Sequence, residues 1–107
     1  VTDEHPIIAS REPPITAYVS IGNDTGLSPL QWAKYADQIT EEIIRAGGRI
    51  HADWYSLPNA HWQGRVVWIE LKEGIVARLQ QVLVDVARGY GQPRIMWAET
   101  PTATYLN

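Results

Sequence analysis

The chain of 107 residues has no cysteine. This excludes disulfides, thiolate zinc sites, iron–sulfur ligation and a cysteine nucleophile, and it gives no sign of an oxidising compartment. No apolar run approaches the roughly 20 residues of a membrane span, and no charged-then-apolar leader opens the sequence. The expected setting is the cytoplasm, without membrane association. Basic charge is also in short supply: nine Lys and Arg against twelve Asp and Glu leave a net charge of −3. Phosphate binding relies on a basic field, so nucleic acid is not an expected partner. Phenylalanine is absent beside five tryptophans, and arginine outnumbers lysine seven to two. That bias suits a GC-rich coding sequence, and hence a bacterial or phage source.

What is present is ordinary globular material, 45% hydrophobic and 20% charged. A chain of this length buries about 65% of its unfolded surface, so its core needs neither metal nor disulfide. Residues 1–14, with three prolines and no sustained periodicity, are expected to be a flexible N-terminal arm, with Ile7 and Ile8 as possible docking residues. Residues 15–107 are expected to form one domain.

Periodicity divides that domain into six elements. Ile15–Ile21 alternates as a half-buried strand, with Ile15, Ala17, Val19 and Ile21 on one side and Thr16, Tyr18 and Ser20 on the other. The turn Gly22–Gly26 follows. Ser28, Pro29 and Gln31 then form a capping-box start, with Leu27 and Trp32 at staple positions. Trp32, Ala36, Ile39, Ile43 and Ala46 recur at helical spacing, Glu41 and Arg45 form an i,i+4 pair, and Gly47–Gly48 ends the helix. Arg49–Leu57 and Arg65–Leu71 read as an antiparallel hairpin around the loop Pro58–Gly64. Gly74–Tyr90 reads as a second helix, with Ile75, Leu79, Val82, Val86 and Tyr90 as its stripe. Arg94–Glu99 is a fourth strand.

The strand–helix–strand unit occurs twice, and that duplication is the split βαβ pattern of a ferredoxin-like α+β sandwich. The expected architecture is βαββαβ, with a four-stranded antiparallel sheet in the order 4-1-3-2 and both helices on one face. Two helices cover only that face. Strand alternation then places Ile15, Ala17, Val19, Ile50, Ala52, Trp54, Val67, Ile69 and Leu71 under the helices. It places Tyr18, His51, Asp53, Tyr55, Val66, Trp68 and Glu70 on the open face. In the fourth strand, either Ile95 and Trp97 or Met96 and Ala98 join the open face.

An exposed sheet with three or four aromatics marks a contact surface. Closure against a second copy is one expectation, because symmetric dimers are the commonest oligomers and sheet faces pack on one another. A pocket on the same face is the other, with Tyr18, His51, Asp53 and Glu70 as ligand-orienting or acid–base groups. The ordinary reading of His51 and Asp53 is a solvated or mutually paired couple. No metal is expected: His5, His51 and His61 do not pair at ligand spacing. The Gly22–Gly26 turn lacks the endings of a phosphate loop, and Asp24 repels an anion. No G-x-S-x-G elbow appears, and nothing calls for a cofactor. In the hairpin loop, His61 and Trp62 are contact candidates, although the plainer expectation has Trp62 folding back on its own domain.

A sheet bearing aromatics resembles that of RNA-recognition modules, but the third strand, GRVVWIEL, departs from their basic signature by presenting Arg65 and Glu70 among its exposed positions. The order of elements over residues 15–99 is similar to ferredoxin-like families, including small dimeric α+β-barrel proteins and regulatory ligand-binding domains. This is a likeness of topology without diagnostic residues, and fold alone does not imply function. The reading is therefore a non-enzymatic interaction or regulatory module, a homodimer or the binder of a protein partner. Its candidate contacts are Tyr18, His51, Asp53, Tyr55, Trp68, Glu70, His61 and Trp62. The alternative is a small dimeric, metal-independent enzyme with a pocket involving Tyr18, His51 and Asp53.

Overall fold

A computed structural model of the chain describes residues 14–57 and 60–100. The expected arm falls outside these residues except for Pro14, where the first strand begins. Strand β1 (Pro14–Gly22) buries Ala17, Val19 and Ile21 on one side and leaves Thr16, Tyr18 and Ser20 half-buried on the other. Asn23 then closes the turn: its Nδ2 donates to the Leu27 carbonyl at 2.9 Å and its Oδ1 accepts from the Leu27 N–H at 2.7 Å. Helix α1 (Pro29–Arg45) starts as its sequence dictates, with both halves of the Ser28–Gln31 capping box formed. It stops where Gly47 takes φ +97°, a conformation costly for any residue with a Cβ. Arg45 pairs with Glu42 at 3.0 Å, one residue nearer than the expected Glu41; i,i+3 and i,i+4 neighbours are both within reach on a helix.

Strand β2 (Arg49–Tyr55) ends two residues earlier than the alternation suggests, and β3 (Gly64–Lys72) runs one residue further at each end. A 3-10 turn at Glu73–Ile75 leads into α2 (Val76–Gly89), and β4 occupies Met96–Thr100. The sheet has the order β2-β3-β1-β4, and every pair in it is antiparallel. This is the expected 4-1-3-2 order. None of the described helices is long and apolar enough to cross a membrane.

One apolar cluster joins the inner side of the sheet to both helices. Ala17, Val19, Ile21, Val67, Ile69 and Leu71 meet Trp32, Tyr35, Ile39 and Ile43 of α1 and Leu79 and Leu83 of α2. Each fully buried Val, Leu or Ile contributes about 1.5–3 kcal/mol by leaving water, so this layer dominates the stability of the fold. The fourth-strand ambiguity resolves through its register. Val19 faces Trp97, while Tyr18 and Ser20 face Ala98 and Met96. Paired residues share a face, so Trp97 packs on the core with Ile95, and Met96 and Ala98 lie on the open side.

Strand β2 departs from simple alternation. Its register with β3 runs Ile50↔Ile69 and then Ala52↔Trp68, so His51 is an extra residue in a β-bulge. A bulge inserts one residue and reverses the facing of everything beyond it. Ala52 and Trp54, expected under the helices, therefore lie on the open side with Trp68 and Val66. Asp53 and Tyr55, expected on the open side, pair with Val67 and Arg65 and face the helix layer. Arg65, expected among the exposed positions of β3, is 5% exposed.

Candidate functional site: the open sheet face

The open face is built around β1 and β3. Tyr18 and Trp68, opposite each other in register, stack with centroids 6.1 Å apart. Trp54 reaches Tyr18 from β2 at 6.2 Å. His51, displaced outward by the bulge, tilts against the Trp68 ring at 5.1 Å, and its Nε2–H donates to Glu70 Oε1 at 2.8 Å. Arg49 stands opposite Glu70 on the same face, and beyond it Thr16 and Thr100 share a short hydroxyl–hydroxyl bond. The face thus has an ionic end, an aromatic middle and an apolar end at Val66 and Met96. Trp54 and Met96 are 50% and 55% exposed. Trp68 Nε1 is buried without a hydrogen-bond partner among the described residues, at a cost of about 1–3 kcal/mol.

Trp62 closes the apolar end. It folds back from the hairpin loop so that its ring covers Gly22 and Gly64, which face each other in the β1–β3 ladder. A Cβ on either glycine would fall 2.1 Å or 2.4 Å from the indole. Both positions must lack a side chain for the ring to lie there. His61 beside it is exposed.

Asp53 and Tyr55 belong to a different site. Arg65 Nε donates to Asp53 Oδ1 at 2.8 Å, and its Nη2 bonds the second carboxylate oxygen. Nη1 donates to the Ala36 carbonyl of α1 at 2.9 Å, and Nη2 also reaches the Tyr55 hydroxyl at 2.8 Å. The hydrogen bonds from Arg65 hold the Asp53 carboxyl below its usual range, against the opposing effect of partial burial. The same pairing raises the guanidinium further. This network ties the sheet edge to a helix, and Asp53 has no part in the open face. Tyr18, His51, Trp68 and Glu70 come together as the sequence suggests; the trio Tyr18, His51 and Asp53 does not share one side.

No protein-family model matches the chain, and no curated protein matches it. A solved structure does: the solution structure of a hypothetical Arabidopsis thaliana protein, a structural-genomics target, superposes with a TM-score of 0.56 at 14% identity. The match covers 87% of this chain and 92% of that one. At that identity the likeness is one of fold, an α+β two-layer arrangement, and carries no activity across.

No three His, Asp or Glu side chains form a metal-binding group among the described residues. The open face offers one histidine–carboxylate pair with phenol and indole rings beside it. What such a surface does well is exclude water against another apolar surface. Sequence reasoning missed Trp54 as a member of this face and left Met96 as one of two alternatives. A usable signal for the first was Arg65: its parity with Val67 sends it inward, where a guanidinium needs a carboxylate, and Asp53 is the carboxylate on the adjoining strand.

Proposed function

We propose that this chain is a non-enzymatic interaction module that self-associates by packing the open sheet face on that of a second copy. The observation that carries this reading is the run Trp54–Tyr18–Trp68–His51 on the side that the helices leave uncovered. Its size supports the reading as well. With strands about 4.8 Å apart and a rise of about 3.3 Å per residue, the four strands present a face of about 480 Å². Mating two copies removes about 1,000 Å² from water, the lower bound for a specific interface. The ionic end at Arg49, His51 and Glu70 then forms part of a polar rim around an aromatic centre. A cytoplasmic setting belongs to the same reading.

Sedimentation velocity of the full chain tests this, alongside Trp54→Arg and Met96→Arg. Both side chains are half exposed in one copy, so the variants are expected to fold. The wild type is expected to sediment at twice its 12.1 kDa mass, and the variants as monomers. Leu30→Arg, at a helix position 66% exposed, is expected to leave the dimer intact. A wild type that stays monomeric at about 100 μM, or variants that dimerise as tightly, would overturn self-association through this face.

A further inference from the structure

At the apolar end of the sheet, the β1–α1 turn, the hairpin loop and the lead-in to β4 enclose a hollow of about 460 Å³. One wall is Trp62, whose ring lies over Gly22 and Gly64 while the residue remains 54% exposed. Met96 and Ile95 supply further apolar surface, and Ser20 a hydroxyl. Asp24 lines the same hollow. Its side chain is 21% exposed, and its nearest cation, Arg94 Nε, stands 3.7 Å away, beyond hydrogen-bond reach. Arg94 itself is 82% exposed and free to swing into solvent. Among the described residues, nothing donates a hydrogen bond to the Asp24 carboxylate.

The backbone that carries Asp24 is firmly held. The Asp24 N–H donates to Gln92 Oε1 at 3.0 Å, and Gln92 Nε2 donates to Thr25 Oγ1 at 2.8 Å. Gln92 is only 2% exposed. A carboxylate on a backbone held in place, with a loose counter-ion, lines the same space as the half-exposed indole ring. A thioether lies beside them. Each of these groups attracts a cation that carries apolar surface: the carboxylate through its charge, the indole through its quadrupole, and the methionine through its polarisable sulfur. Hydrated metal ions gain little from the last two.

We propose that this hollow is a binding site for a small organic ammonium ion, with Asp24 as counter-ion and Trp62 as the ring over which the cation sits. Arg94 competes for Asp24 in the empty site and moves outward when the ligand binds. Ser20 and Met96 belong also to the open face, so packing of a second copy there would compete with the ligand. The titration is therefore made in parallel on Trp54→Arg, which leaves the lining of the hollow intact and is expected to be monomeric.

The test is a titration of the 15N-labelled full chain, read at the Trp62 indole N–H, which Trp62→Phe identifies. Choline is the cationic probe, 3,3-dimethylbutan-1-ol its neutral isostere and acetate the anionic control, all at constant ionic strength. Choline is expected to give a saturable shift, with the isostere at least tenfold weaker and acetate without effect. Asp24→Asn is expected to weaken choline binding about tenfold, and Arg94→Ala to strengthen it about threefold. The remainder of each spectrum reports whether the variant keeps its fold. Equal binding of choline and its isostere, preference for acetate, indifference to Asp24→Asn, or no saturable shift up to about 50 mM choline would each overturn the assignment.

Discussion

Deleting His51 tests the feature that decides which side chains reach the open face. If His51 is the extra residue of a bulge, its removal leaves Ile50↔Ile69 and Ala52↔Trp68 as consecutive rungs of a regular ladder. Every other residue of β2 keeps its side: Asp53 still meets Arg65, and Trp54 still meets Tyr18. The deletion then forfeits chiefly the His51–Glu70 pair and the ring contact with Trp68. Both members of that pair are about 30% exposed, a setting in which ion pairs contribute about 0–1 kcal/mol. The expected loss is therefore about 1 kcal/mol, or about 4–8 °C in a domain of this size. If residue 51 instead belonged to an alternating ladder, Trp54 would lie under the helices and Asp53 on the open face, and the deletion would exchange the two sides beyond Ile50. Turning a buried tryptophan out of the core costs about 3–5 kcal/mol, a large share of the 5–15 kcal/mol that holds a typical domain together. Urea unfolding followed by tryptophan fluorescence separates the two outcomes. A loss near 4 kcal/mol, or a collapsed m-value, would refute the bulge as the origin of the face.

Asp53→Asn is expected to cost about 2–4 kcal/mol at neutral pH, since it strands a buried cation. Because the folded carboxyl lies below its ordinary value of 3.8, the Asp53 contribution is complete above that pH. It is lost as pH falls through the lowered folded value, so wild-type and variant unfolding curves should converge only in acid. Tyr35→Phe is expected to raise stability by about 1 kcal/mol: the Tyr35 hydroxyl is buried without a partner among the described residues, and burial, assisted by the charge of Asp24, pushes its pKa up to about 12. Thermal unfolding checks this, and a drop in stability would mean that the hydroxyl is satisfied in solution. Gly22→Ala is expected to expel Trp62, because the new Cβ would sit 2.1 Å from the indole. The variant should show a red-shifted emission component and a loss of about 1–2 kcal/mol; unchanged emission would place the ring elsewhere.

Most of the fold was legible in the sequence because its elements are locally consistent. The alternation of Ile15–Ile21, the Ser28–Gln31 box and the stripe through Trp32, Ile39 and Ile43 each specify a structure without help from distant residues. The doubled strand–helix–strand order then leaves few ways to connect them. The open face was legible on β1 and β3, where Tyr18 and Trp68 obey strict parity. It was misread on β2, because a bulge is a tertiary accommodation that period-two reasoning cannot register. The segment Arg49–Tyr55 alternates as well with a bulge as without one, and only the demand of Arg65 for a carboxylate separates the two. Trp62 was placed correctly on its own domain, but its seat on Gly22 and Gly64 was not visible, since those glycines read as turn residues. The hollow with Asp24 joins three connections that are distant in sequence, and it emerges only once they are folded together.

Met96 is the one methionine of the chain, and its side chain lies on the open face, so its methyl group is a single reporter at the proposed contact. Isotope-filtered NOE spectroscopy on a mixture of 13C-methyl-Met-labelled and unlabelled chains reads contacts between copies alone. Self-association through the sheet predicts intermolecular cross-peaks from the Met96 methyl to aromatic protons of the opposing face. A populated dimer with no intermolecular peak at Met96, and contacts mapping to the outer sides of α1 and α2 instead, would contradict it.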